Sequence, residues 1–223
     1  MSEQAKTDVI SKSLVTNLLA AVRPQVAYLR GRFWDEIEMA VHERMTKLIE
    51  QNKAMIIDAP SRQWLQLCSM ILAAYQELLP LVGDKQIALS VLRNVMEAPF
   101  KEGLTGYIAD RFGILQDAPE DAFNRIAENF KVRGEKRFGQ TYAYVQEVQD
   151  EERSFINIQK CFFNDFFRAN GMPEVTPIFC AMDNLWIAEL EKPQYGVRFK
   201  QPTTLAGGDD LCRFQFTKTK AKP

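Results

Sequence analysis

The chain has 223 residues, 46% of them hydrophobic and 26% charged, which suits a self-sufficient core and excludes a disordered chain. Its 28 Lys and Arg nearly balance 29 Asp and Glu, so the net charge is −1 and there is no electrostatic footprint for nucleic acid or an anionic membrane. The first 13 residues are polar, no leader pattern follows, and no apolar run approaches the roughly 20 residues of a membrane helix. A cytoplasmic setting is expected, with Cys68, Cys161, Cys180 and Cys212 reduced.

The first 135 residues read as successive helices. Trp34, Ile37, Val41, Met45 and Leu48 recur at helical spacing and predict a helix from Phe33 to about Gln51. A second, from about Arg62 to Leu79, carries Trp64, Cys68, Ile71, Leu72 and Tyr75 and is broken by Pro80 and Gly83. Asp84 caps a third, with Ile87, Val91, Leu92 and Val95 inward. The glycine-rich stretch 101–113 is indistinct. A further helix follows Asp117–Ala118–Pro119, presents Phe123, Ile126 and Phe130, and meets a terminator in Gly134.

Near Phe138 the texture changes to β-branched and aromatic. Thr141–Val145 and Phe155–Ile158 read as strands joined by the polar turn Asp150–Arg153. A short helix over Cys161–Ala169 ends at Asn170–Gly171, and another runs from Thr176, as its cap, to about Leu190. Val197–Lys200 and Leu211–Phe216 complete the strands. The expected fold is α+β: a helical N-terminal part, residues 1–135, packed on a small, mostly antiparallel C-terminal sheet with two short helices, residues 136–217. Residues 218–223 read as a frayed tail, and the two larger parts as one functional unit.

Much chemistry is missing. The single histidine, His42, reads as a solvated helix residue, which leaves no Ser–His or Cys–His pair. Gly103-x-x-Gly106 lacks the lysine and strand of a phosphate loop. Attention falls on three cysteines. Cys161 stands where a strand gives way to a helix, and a helix N-terminus lowers a thiol pKa. Cys180 and Asp183 project from one helix side. Cys212 shares a strand face with Phe214 and Phe216, opposite Arg213 and Gln215. Ahead of it, Gly207 and Gly208 sit in a tight loop whose amides can converge on an oxyanion. Each cysteine alone is also the kind of residue that simply packs a core. Three thiols and a carboxylate match a metal site in number, but they are scattered and no histidine joins them, so no metal or cofactor is expected.

The ordered set is Cys161, then Phe179–Cys180–Ala181–Met182–Asp183, then Thr204–Leu205–Ala206–Gly207–Gly208, with Cys212–Arg213–Phe214–Gln215–Phe216 closing it. It resembles the L-2-amino-thiazoline-4-carboxylic acid hydrolase family over about Phe155 to Phe216. Phe162–Phe163 depart from the small residue and tyrosine usual there, making the pocket more apolar. The resemblance implies hydrolytic opening of a small cyclic amidine to N-carbamoyl-L-cysteine. On that footing Cys161 is the nucleophile, Asp183 the general base and Cys212 an aid to proton transfer. Cys180 lines the pocket, Gly207 and Gly208 hold developing charge, and Arg198 or Arg213 receives the carboxylate. Two other readings compete: a non-catalytic small-molecule or sensor module with a Cys-lined pocket, and an interaction protein whose N-terminal helices form a homo-oligomer interface.

Overall fold

In the computed structural model, residues 15–26, 34–114 and 118–221 are described. The helical part comprises α1 (residues 15–22), α2 (Trp34–Gln51), α3 (Ala59–Val82), α4 (Lys85–Glu102), α5 (Leu104–Phe112) and α6 (Ala122–Phe138). After it come β1 (Ala143–Gln149), β2 (Arg153–Lys160), α7 (Phe162–Ala169), α8 (Thr176–Leu190), β3 (Val197–Lys200) and β4 (Cys212–Lys218). The fold is α+β, as the residue patterns predict.

The central helix is α3. Asp58 caps it by accepting from the Ser61 amide at 2.7 Å, while Ser61 Oγ accepts from the Asp58 amide at 2.9 Å, a reciprocal capping box. An 18-residue window of α3 has a mean hydropathy of 1.4, so by length and composition it is able to cross a membrane. Packing takes up that surface here: Leu65, Cys68, Ile71, Leu72, Tyr75 and Leu78 are wholly buried. The α2 stripe Ile37, Val41, Met45 and Leu48 is buried where α2 packs along α3. Arg44 then bridges to Glu77 at 2.6 Å.

Several boundaries differ from the sequence expectation. Helix α3 runs through Pro80 and stops at Gly83, whose φ of 68° suits a glycine terminator. Helix α6 likewise runs through Gly134 to Phe138. Thr176 is the first residue of α8 and not its cap: a 3₁₀ turn over Pro173–Val175 leads in, and the buried Thr176 hydroxyl has no partner. Asp117 lies outside the described residues. Thr141 belongs to a turn before β1, and Lys218 to β4, so the tail begins later than expected.

The sheet has the order β1-β2-β4-β3, with every neighbouring pair antiparallel. Register places Tyr144, Ile158 and Cys212 in one row and Ile156 with Phe214 in the next, all buried. Helices α6 and α8 cover this face. Phe130 lies 5.3 Å, ring to ring, from both Phe214 and Phe216, and Trp186 contacts the same two rings.

Three contacts tie the helical part to the sheet part. Asp58 Oδ2 accepts from the Gln140 amide at 2.7 Å. Trp64 meets Phe163 of α7 edge-on at 5.4 Å. Asn52 and Asn170 exchange amide hydrogen bonds of 3.1 and 3.2 Å across 118 positions of chain. The apolar interior is continuous from Val15 to Phe216.

Candidate active site

Where β2 ends, Cys161 takes an extended conformation and becomes the N-cap of α7. Its Sγ lies 3.4 Å from the Tyr142 hydroxyl of the segment entering β1. The amides of Phe163 and Asn164 face the sulfur without completing a capping bond. The helix terminus therefore acts on the thiol as expected, but burial outweighs it and the thiol pKa is raised. A rise replaces the fall that the helix dipole alone predicts.

Helix α8 supplies Cys180 and Asp183 one turn apart. The Trp186 indole N–H donates to Asp183 Oδ1 at 2.9 Å, and Trp186 is itself locked in the aromatic core. Burial pushes the Asp183 carboxyl from 3.8 up to about 6, against the opposing pull of the Trp186 hydrogen bond and the Arg111 charge. Burial also raises Cys180 strongly, Cys212 to about 11 and Tyr107 to about 12. Tyr142 and Tyr144 are raised further still, again chiefly by burial.

These groups share one neighbourhood. Cys180 feels the charges of Asp183, Cys161 and Cys212; Tyr144 feels Arg111, Asp183, Tyr107 and Cys161. Cys161, Cys180, Asp183 and Tyr107 keep part of their surface accessible although protein encloses them closely, so they form a half-buried cluster. Its apolar wall is aromatic: Phe163 packs on Phe179 at 4.4 Å and edge-on to Tyr142 at 5.7 Å. The two phenylalanines after Cys161 divide their work, since Phe162 is fully buried and Phe163 forms this wall. At neutral pH such a site holds neutral thiols and phenols around one carboxyl poised to exchange a proton.

Cys212 borders this neighbourhood, whereas the remaining expected site residues fall elsewhere. Cys212 is buried and accepts the Leu205 amide at 3.2 Å, fastening the glycine turn to β4. The Gly207 amide donates to Thr204 Oγ1 at 3.0 Å and the Gly208 amide to the Leu205 carbonyl at 3.1 Å. Both are engaged inside an exposed turn and are not free for an oxyanion. Arg198 pairs in register with Thr217, and Arg213 with Asn157, on the sheet face opposite Cys212. Neither arginine joins the half-buried cluster. His42 is half-buried rather than solvated, its Nε2 enclosed without a partner beside a pocket of about 430 Å³ on α1 and α2.

The buried cation whose charge Asp183 feels comes from α5. Arg111 is 3% exposed and donates to the Phe130 carbonyl at 2.6 Å. Tyr107 lies one turn before it, and Tyr142 and Tyr144 alternate into β1. The i, i+4 spacing of Tyr107 and Arg111 was available in the sequence, but three glycines obscured the helix. The period-2 spacing of the tyrosines was an equally readable signal. Among the described residues, no three His, Cys, Asp or Glu side chains come together as a metal site.

The α+β scaffold thus gathers a carboxyl, thiols, phenols and a guanidinium in one neighbourhood. The family model for L-2-amino-thiazoline-4-carboxylic acid hydrolase matches residues 65–216, and the chain belongs to that family. The match begins well upstream of the cysteine motifs and takes in α5, with Arg111 and Tyr107. No curated protein matches the chain.

Proposed function

We propose that this protein hydrolyses a small cyclic amidine, with L-2-amino-thiazoline-4-carboxylate as its reference substrate. The observation that carries the reading is Asp183, enclosed with three thiols and poised to titrate at about pH 6. Cys161 Sγ adds to ring C2 as Asp183 takes the thiol proton and passes it to the ring nitrogen. The C2–S bond then breaks, and the ring sulfur leaves as a thiol. Water adds to the enzyme-bound carbon, and collapse of that adduct returns Sγ and releases N-carbamoyl-L-cysteine. Tyr142 steadies the sulfur, while Cys180 lines the site. Cys212 serves by holding the turn that borders it.

Mass spectrometry of the reduced protein with this thiazoline should reveal a product one water heavier. Cys161→Ala should abolish turnover with an unchanged circular dichroism spectrum. Full activity in that variant removes the covalent step and leaves direct attack by water. No product from the wild-type protein removes the substrate.

A further inference from the structure

Arg111 carries its charge into the interior, only 3% exposed. Among the described residues, no carboxylate comes within ion-pair distance of it. The Phe130 carbonyl takes one of its five N–H groups and the Tyr107 hydroxyl also bonds it. The Phe130 and Phe112 rings lie 4.4 and 5.4 Å from Cζ and contribute cation–π contact. Carbonyl, phenol and ring faces do not neutralise a buried guanidinium, and such a charge is costly unless an anion joins it.

Asp183 is close enough to feel Arg111 but is not paired with it, and burial still holds the carboxyl well above its ordinary range. On its other side the guanidinium packs tightly against the backbone of α6. A Cβ at Gly134 would meet Arg111 Nη2 at 2.8 Å and Tyr144 Oη at 2.9 Å, so the guanidinium and this phenol converge on one bare stretch of α6. The Tyr107 and Tyr144 hydroxyls and the Arg111 guanidinium thus gather close to Asp183, whose charge both phenols feel.

We propose that Arg111, with the hydroxyls of Tyr107 and Tyr144, receives the carboxylate of an acidic ring substrate. The identity of the ring rests on the hydrolase reading; the demand for a carboxylate rests on Arg111 alone. A guanidinium matches a carboxylate through two parallel N–H bonds, which a neutral amide does not reproduce. This contact would select acidic rings from neutral ones and fix the ring's orientation.

The test uses 2-aminothiazole-4-carboxylate, an aromatic ring that resists hydrolysis, and its 4-carboxamide, titrated calorimetrically into the intact protein. Wild-type protein should prefer the carboxylate by roughly 10- to 100-fold. Arg111→Gln should reduce that preference to under about threefold, and Arg111→Lys should keep an intermediate one. Tyr107→Phe provides a second variant, expected to lower the preference severalfold if Arg111→Gln fails to fold. Equal binding of the two probes by wild-type protein, or binding of neither, overturns the proposal, as does full preference in folded Arg111→Gln. Carboxylate preference without thiazoline turnover would sink the hydrolase reading and leave the Arg111 assignment standing.

Discussion

Asp183 separates the demands of chemistry from those of stability. Its folded-state pKa of about 6 lies above its ordinary 3.8, so the folded protein holds a proton that the unfolded chain releases. Stability should fall as pH rises from about 4 to 6, by up to about 3 kcal/mol, and stay low above that window. Asp183→Asn keeps an oxygen for Trp186 and removes the buried charge. Thermal melts should find this variant more stable than the wild type at pH 7 and indifferent to pH between 4 and 6. Its turnover should drop by about 100-fold or more. An unchanged or lower melting temperature at pH 7 would contradict a buried, ionised Asp183. At this scale the sequence was partly legible. Spacing placed Cys180 and Asp183 on one helix side, and alternation set Arg213 opposite Cys212, on the face where the structure also puts Arg198. The spacing of Tyr107 and Arg111 was readable, but the burial of Arg111 was not, because it depends on helices distant in sequence.

Among the elements, α6 shows how a local rule yields to a tertiary contact. A glycine inside a helix costs about 1 kcal/mol relative to alanine, so Gly134 reads naturally as a terminator. The helix nevertheless continues, because Arg111 and Tyr144 press against the backbone at that position. Gly134→Ala should therefore destabilise the protein by about 1–3 kcal/mol, where an open helical glycine would gain from the change. Chemical denaturation measures this directly, and a gain in stability would show that the close approach is relieved without cost. Helices with a clean apolar stripe, such as α2, were readable almost to the residue. Proline and glycine near helix ends were not, since Pro80 removes a donor only where α3 is about to stop.

Across the whole molecule, the helical and sheet parts meet through Asp58 and Gln140, Trp64 and Phe163, and the packing of α4 on α8. A division near residue 136, suggested by composition, crosses this continuous core. Denaturation followed by far-ultraviolet circular dichroism and by tryptophan emission should give coincident midpoints, because Trp64 and Trp186 both stand where the layers join. Two separated transitions would instead identify two folding units. The α+β class was legible because helical spacing gives way to strand alternation along the chain. Strand order was not, since β4 inserts between β2 and β3 through contacts that no local pattern records.

The reciprocal Asn52–Asn170 pair also governs how this chain ages. Asn170 precedes Gly171, and a glycine's backbone nitrogen readily attacks a preceding asparagine amide to close a succinimide ring. In the folded protein that nitrogen donates to the Arg168 carbonyl at 3.1 Å, and the Asn170 amide donates to Asn52 and to the Phe166 carbonyl. Both reactants are held elsewhere while the clasp is shut. Each opening that frees them gives deamidation its chance, and the resulting aspartate still accepts from Asn52 but has no N–H donors to return that bond or to reach the Phe166 carbonyl. The donation that delays the damage is therefore the first thing the damage removes.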